Sequence, residues 1–188
     1  CIRDRDSVAL VFLNKNCSHH FLDTLAIFFA DPRPFIPAVA ALWIYLFIKG
    51  STNSRITLLF LLVTVGLTDL ISSQLLKPLI GRMRPCHYLA LNTPLGCSIS
   101  FSTPSSHAAN ISAFCGYIIA FRKKLAYFLI PLIIIVSLSR VYAGIHWLSD
   151  VLLGWCLGIS IVFAFYHLRR YCPWIKNDTA PSVEHQQK

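Results

Sequence analysis

Long apolar runs separated by short polar breaks dominate the hydrophobic pattern of the chain. A helix needs roughly 17–25 mostly apolar residues to cross a bilayer, and five runs approach or reach this length. They are residues 35–48, 56–76, 108–121, 125–138 and 147–166. A sixth run, 17–30, is shorter and contains polar residues, so an interfacial helix is an alternative to a span there. The pattern predicts an all-α, polytopic transmembrane helix bundle with five to six spanning helices.

The polar breaks also predict how the chain is divided. We expect an N-terminal interfacial segment at residues 1–16, a transmembrane domain at 17–170 and a polar C-terminal tail at 171–188. Pro and charged residues in the tail are typical of a poorly ordered segment. Because the chain begins with Cys1 rather than Met, we expect it to be a fragment of a longer protein.

The composition supports the membrane interpretation. Of the 188 residues, 55% are hydrophobic and 13% are charged, which is more apolar surface than a soluble core of this size buries. A net charge of +9 would indicate nucleic-acid binding in a polar chain. Here the Lys and Arg residues lie between apolar runs, so we expect the bilayer as the partner and no nucleic acid. The seven cysteines lack the C-x-x-C spacing of zinc ribbons and redox pairs.

The distribution of basic residues predicts an orientation. If the six segments alternate, the charged residues on one face are all basic, namely Lys49, Arg55, Arg122, Lys123, Lys124, Arg169 and Arg170. The positive-inside rule makes that face cytoplasmic, in a cell (inner) membrane. A loop on the opposite face contains Cys86 and Cys97, which makes a disulfide possible there without deciding it.

Residues able to bind an anion fall on that opposite, extracytoplasmic face. Lys77 and Arg84 follow one helix, Ser105 and His107 open the next, and Arg140 ends the helix after it. Cations, a hydroxyl and the free N–H groups of a helix N-terminus favour a tetrahedral phosphate. Because side chains supply the positive charge, we expect neither a metal nor another cofactor.

Two histidines and a carboxylate add possible chemistry to this cluster. His146 and Asp150 are four residues apart, which places them on one face of a helix. The carboxylate can hold one imidazole nitrogen as N–H and leave the other free to attack phosphorus. His107 is then the candidate general acid. We interpret Arg82 as a solvated loop residue and Asp69 as a hydrogen-bonded support.

Three spaced motifs carry a family resemblance. Lys77-x6-Arg84-Pro85, Pro104-Ser105-Ser106-His107 and Ser139-Arg140-x5-His146-x3-Asp150 resemble the signature of the type 2 phosphatidic acid phosphatases, which are related to the vanadium haloperoxidases. The resemblance covers about residues 66–158. It implies that His107 is the acid, His146 the nucleophile and Asp150 the carboxylate that orients His146. It also implies a phosphate-binding set, consisting of Lys77, Arg84, Ser105, Ser106 and Arg140. The family usually has Gly where this chain has Ser106.

The resemblance implies a metal-independent, integral-membrane lipid phosphatase that forms a phosphohistidine. The headgroup stays open among undecaprenyl diphosphate, phosphatidylglycerophosphate, phosphatidic acid and lipid A 1-phosphate. One alternative is a lipid phosphotransferase that uses the same intermediate. A non-enzymatic phosphate or lipid transporter is the other, although it has no need for a His-x3-Asp pair. The sequence does not indicate an oligomeric state.

Overall fold

The computed structural model describes residues 2–31 and 33–171, and this part of the chain contains helices and no strand. The α-helices in chain order are α1 Ile2–Val11, α2 His20–Ala30, α3 Ile36–Lys49, α4 Thr52–Leu70, α5 Lys77–Ile80, α6 Ser106–Phe121, α7 Ala126–Tyr142 and α8 Leu148–Arg170. A π-helical segment, Ile71–Leu76, joins α4 to α5 without a break. The predicted all-α class is confirmed.

Within the described residues, three helical segments are long and apolar enough to cross a membrane. They are Thr52–His87, Lys123–Tyr142 and Leu148–Arg169. The helices α2 and α3 are apolar but shorter, and the 11 residues of α2 extend only about 17 Å. The chain therefore has the helices of a multi-pass membrane protein, while the number of five to six spans stays a prediction.

The centre of the bundle is α6, which packs against α4, α7 and α8. Glycines on α8 allow the closest of these approaches. A Cβ atom at Gly158 would lie 2.1 Å from Ser112 Oγ and 2.5 Å from the Ala109 carbonyl oxygen. One at Gly154 would lie 2.7 Å from the Ser105 carbonyl oxygen. Small residues of this kind let two membrane helices approach closely, and here they hold the start of α8 against the start of α6.

Local sequence explains where several helices begin and end. The Ser51 hydroxyl accepts a hydrogen bond from the Ser54 N–H and caps α4. The Asp150 carboxylate accepts one from the Trp147 N–H at the start of α8, at 2.9 Å. After α5 the backbone turns through Gly81, whose φ of 62° suits a residue without a side chain.

The N-terminal segment packs on the bundle through its described side chains. Asp6, Leu10 and Asn14 are all buried. The Asn14 side-chain amide donates to the carbonyl oxygens of Tyr142, at 2.7 Å, and Asn92, at 2.6 Å. The predicted division at residue 16 is not decided by these contacts. Of the predicted C-terminal tail, residues 172–188 lie outside the described residues.

The structure shows whether the two cysteines of the loop are joined. Cys86 and Cys97 form a disulfide that closes an 11-residue separation in the segment between α5 and α6. This cross-link restrains the segment that connects the first two signature motifs.

Candidate active site

Three distant parts of the chain meet at one end of the bundle, as predicted from the alternation of the helices. The Ser105 N–H donates to the Asp150 carbonyl oxygen at 3.0 Å, joining the start of α6 to α8. The Arg84 Nη1 atom donates to the Ile145 carbonyl oxygen at 3.1 Å, joining the loop after α5 to the turn before α8. The packing of α8 on α6 therefore brings together the residues of all three motifs.

His146 and Asp150 form a buried pair. The His146 Nδ1 atom lies 3.5 Å from Asp150 Oδ2, and the side chains are 2% and 0% exposed. An ionised carboxylate only accepts hydrogen bonds, so Nδ1 carries the hydrogen atom. The other ring nitrogen, Nε2, lies 3.5 Å from Arg84 Nη1. Its lone pair is therefore directed toward the cationic side of the site.

Four further groups donate hydrogen bonds to Asp150. The hydroxyls of Ser102 and Thr103 bind its two oxygens, and the Trp147 N–H donates at 2.9 Å. Arg82 Nη1 lies 3.0 Å from Oδ1. Because several donors favour the charged form of a buried carboxylate, this shell fixes both the ionisation and the position of Asp150.

Burial also determines the protonation state of His146, which lies in the turn between α7 and α8. Removal from water lowers the pKa of His146 to about 4. The Arg84 guanidinium acts in the same direction, whereas Asp150 opposes it. The imidazole is therefore neutral at pH 7, and its Nε2 lone pair is available as a nucleophile.

Two arginines provide positive charge close to the imidazole of His146. Arg84 is held by Ser100, whose carbonyl oxygen and hydroxyl accept from Nε and Nη2, both at 2.9 Å. Arg140 is only 6% exposed, yet its Nε and Nη1 atoms have no hydrogen-bond partner among the described residues. Buried guanidinium donors are normally paired, so these two point to an anionic ligand.

The N-terminus of α6 provides more donors. The Ser105 hydroxyl is completely buried and has no partner among the described residues. It does not cap its own helix, so the first N–H groups of α6 stay available for a ligand. An uncapped helix N-terminus next to an unpaired hydroxyl and arginine is suited to a phosphate.

Lys77 and His107 lie at the edge of this group. Lys77 is half-buried and within electrostatic reach of Arg84 and Arg140. His107 is within reach of Lys77, Arg140 and His146. Its Nε2 atom lies 3.3 Å from the Ala30 carbonyl oxygen, which can only accept, so Nε2 carries the hydrogen and Nδ1 is the nitrogen that can exchange a proton.

The side chain of Ser106 is used between helices. Its hydroxyl accepts a hydrogen bond from Ser72 Oγ at 3.1 Å and so ties α6 to the π-helical segment. Asp69 supports the same interface by accepting from Asn110 Nδ2 at 2.7 Å, in line with the expected hydrogen-bonded role. The predicted contribution of Ser106 to phosphate binding would therefore come from its backbone N–H.

The interpretation of Arg82 as a solvated loop residue is wrong. Its guanidinium donates to Asp150 and Ser149 and pairs with Asp6 at 3.0 Å, and its Cζ atom lies 4.9 Å from the centre of the Trp147 ring. Asp6 in turn accepts from the Ser149 N–H at 3.1 Å. Sequence reasoning also missed Ser102 and Thr103. The available signal was their position directly before the Pro104 motif.

The fold and the site together define a helical membrane protein with a cluster of buried, unpaired donors close to a His–Asp pair. A family comparison agrees, because residues 57–174 match the model of the PAP2 superfamily. This match covers more than half of the chain, and the chain belongs to that superfamily.

Individual relatives carry phosphatase names. The chain is 36% identical over 118 residues to phosphatidylglycerophosphatase B of Bacillus subtilis, covering 56% of this chain and 54% of the relative, so it spans about half of that protein. It is 27% identical to lipid A 4'-phosphatase of Bacteroides thetaiotaomicron over 89% of this chain and 78% of the relative. The crystal structure of a transmembrane PAP2-type phosphatidylglycerolphosphate phosphatase from Bacillus subtilis has the same fold, with a TM-score of 0.72, 22% identity and coverage of 93% and 89% of the two chains.

Proposed function

We propose that this protein is a lipid phosphatase that hydrolyses a phosphomonoester or diphosphate of a membrane lipid without a metal. The observation that carries the proposal is the set of buried, unpaired donors on Ser105 and Arg140, in the same cluster as the neutral His146 imidazole. Donors that are fixed before the reaction are the kind of group that stabilises the transition state of phosphoryl transfer. The names of the relatives support a lipid phosphate as the substrate.

The proposed reaction has two steps. In the first, His146 Nε2 forms a bond to phosphorus and the bond from phosphorus to the lipid oxygen breaks. His107, which the negative charge of the bound phosphate keeps protonated, gives its proton to that oxygen. In the second, water attacks the phosphohistidine, His107 takes a proton from the water, and the N–P bond breaks to release inorganic phosphate. Asp150 stabilises the positive charge that develops on His146 by holding Nδ1–H.

In this proposal the phosphate oxygens are bound by Arg84, Arg140, Lys77, the Ser105 hydroxyl and the first N–H groups of α6, including that of Ser106. We also propose a cell-membrane location with the site on the extracytoplasmic side. Two features support this orientation. The disulfide between Cys86 and Cys97 lies beside the site and favours an oxidising compartment. The described residues at the opposite end of the bundle include basic but no acidic side chains.

The test uses protein purified in detergent and a panel of lipid phosphates, with phosphate release measured in the presence of a chelator. The panel contains phosphatidylglycerophosphate, undecaprenyl diphosphate, phosphatidic acid and phosphorylated lipid A. We expect release from at least one of them, and loss of activity in chelator would contradict the metal-free mechanism. His146→Ala should abolish release, whereas His20→Ala, a control at an exposed position on α2, should not.

A second measurement separates the phosphatase from its alternatives. Rapid quenching with a labelled substrate should trap an acid-labile, base-stable phosphohistidine in the wild type and none in His146→Ala. A phosphotransferase would give the same adduct but pass the label to an added lipid alcohol in preference to water. A transporter would form no adduct and release no phosphate.

A further inference from the structure

A cavity lies at the end of the bundle opposite the candidate active site. Its volume is about 930 Å³, within the range of about 300–1,000 Å³ that is typical of ligand sites. It lies between α3, α4, α6 and α8 and is called here the distal cavity. The helix α6 starts at the candidate active site and reaches the cavity at Phe121, and its 16 residues extend about 24 Å. The two sites are therefore separate.

Most of the wall of the distal cavity is hydrocarbon. One side is formed by α3, and the other by apolar residues of α4 and α6. Its apolar residues include Val39, Leu42, Leu46, Leu58, Phe114 and Ile118. Among the elements of the described chain, α3 packs mainly on α4, and the cavity occupies space between α3 and α6. A cavity with such a wall is suited to an apolar chain.

Three residues that line the cavity, from three different helices, each carry a polar atom without a hydrogen-bond partner among the described residues. Trp43 Nε1, the Tyr117 hydroxyl and Arg169 Nε are all buried and have no hydrogen-bond partner among the described residues. Tyr117 is only 1% exposed. Buried polar atoms are almost always hydrogen-bonded, so three orphans around one cavity point to a ligand. Since each can donate a hydrogen atom, the ligand must be rich in acceptors.

The charge of the cavity defines the ligand further. Arg122 and Arg169 both line it, and none of the described residues of its wall is Asp or Glu. Arg169 is held over the Phe121 ring, with Cζ 4.3 Å from the ring centre, so its charge is fixed at the cavity. Lys123 and Lys124 follow Arg122 directly in the chain. The field at this end of the bundle therefore favours an anion.

We propose that the distal cavity binds an anionic glycerophospholipid. Its headgroup phosphate is bound by Arg169 and Arg122, with the Tyr117 hydroxyl and the Trp43 N–H as further donors. One acyl chain lies along the apolar wall between α3 and α6. Free phosphate would use the donors but leave the hydrocarbon wall unused, and an uncharged lipid would leave the arginines unpaired. The proposal does not depend on the function of the first site.

The experiment compares phosphatidylglycerol with phosphatidylcholine of identical acyl chains, both bound to delipidated protein in detergent. Native mass spectrometry measures how much lipid is retained, and the position of the bound lipid is determined in a separate experiment. We expect preferential retention of phosphatidylglycerol. Arg169→Gln and Tyr117→Phe should each weaken it about tenfold, the factor for loss of one hydrogen bond to a charged group.

Matched controls remove the same groups elsewhere. Tyr127→Phe alters a phenol that is 85% exposed on α7, and Arg33→Gln alters an exposed arginine before α3. Neither should change retention. Tyr117→Phe removes a single oxygen atom and keeps the ring, so a normal unfolding temperature is expected and will be recorded for each variant.

A photoactivatable acyl chain locates the bound lipid. We expect labelled peptides from residues 39–58 and 114–121. Labels confined to residues 77–107, equal retention of phosphatidylcholine, or unchanged retention in Arg169→Gln and Tyr117→Phe would each overturn the proposal. Stronger phosphatidylglycerol binding by a chain ending at Tyr171 would also overturn the proposal, because residues 172–188 would then be the natural occupant of the distal cavity.

Discussion

Replacement of Ser105 by Ala should change stability and activity in opposite directions. The Ser105 hydroxyl is 0% exposed and has no hydrogen-bond partner among the described residues. An unsatisfied buried hydroxyl costs about 1–3 kcal/mol, so its removal should stabilise the ligand-free protein by about 1 kcal/mol after the small loss of packing. For a chain of this size that corresponds to an increase of about 2–4 °C in the unfolding temperature.

The same substitution should impair catalysis. The hydroxyl is one of the fixed donors proposed for the phosphate, and loss of one such donor lowers kcat by about 10²–10³. Inorganic phosphate should also protect the wild type against thermal unfolding more than it protects Ser105→Ala, since a ligand that binds only the folded state stabilises it more when its Kd is lower.

Thermal unfolding in detergent and phosphate release are the two assays. Ser160→Ala, at an exposed position of α8, is the control and should leave both unchanged. A variant Ser105→Ala that is less stable but fully active would refute the reasoning, because the hydroxyl would then have a structural partner and no role in binding phosphate.

Three more predictions concern the helix contact, the carboxylate shell and the histidine. Gly158→Ala should strongly destabilise the protein because its Cβ atom would overlap the Ser112 hydroxyl. The control Gly66→Ala should not, because a Cβ atom there meets nothing within 4 Å. Denaturant unfolding measures both variants, and equal stability of the two would contradict the packing. Arg82→Gln should lower kcat about 10–100-fold with little change in KM, because the His–Asp pair is misplaced; an unchanged kcat would exclude a positioning role. The pKa of His146 is lowered to about 4, so its ring should stay neutral as the pH falls from 7 to 5, whereas an unperturbed imidazole would take up a proton near 6.5. Carbon NMR of labelled histidine, compared with His146→Asn, identifies the His146 signal. Titration of that signal near 6.5 would contradict the burial argument.

Much of the fold was predictable because membrane helices obey simple rules. Backbone groups in lipid must be hydrogen-bonded within the segment, so a run such as 147–166 has few alternatives to a helix. The structure has α8 at Leu148–Arg170 and α3 at Ile36–Lys49, close to the predicted runs. The segment at 17–30 was ambiguous because its apolar run is too short to decide between a span and an interfacial helix.

The contacts of Arg82 and Asp6 were not predictable in this way. They are 76 residues apart, and their pairing depends on how α1 packs on the start of α8. Charged side chains between helices are usually solvated anchors at a membrane surface, which made the wrong interpretation of Arg82 the natural one. The hydroxyls of Ser102 and Thr103 were missed because Ser and Thr in a loop have no pattern that distinguishes a buried donor from a solvated one.

By itself, the sequence determined the membrane class, the helical runs and the motif residues that meet at one end of the bundle. These features follow from the length of the hydrophobic runs and the alternation of the helices, which depend only on the order of residues along the chain. Only the tertiary structure decided which donors are paired and which are not, because hydrogen-bond partners depend on distances between helices that sequence spacing does not encode. It is this distinction that separates Arg82, bound to Asp6 and Asp150, from Arg140 and Ser105, whose buried donors remain for a ligand.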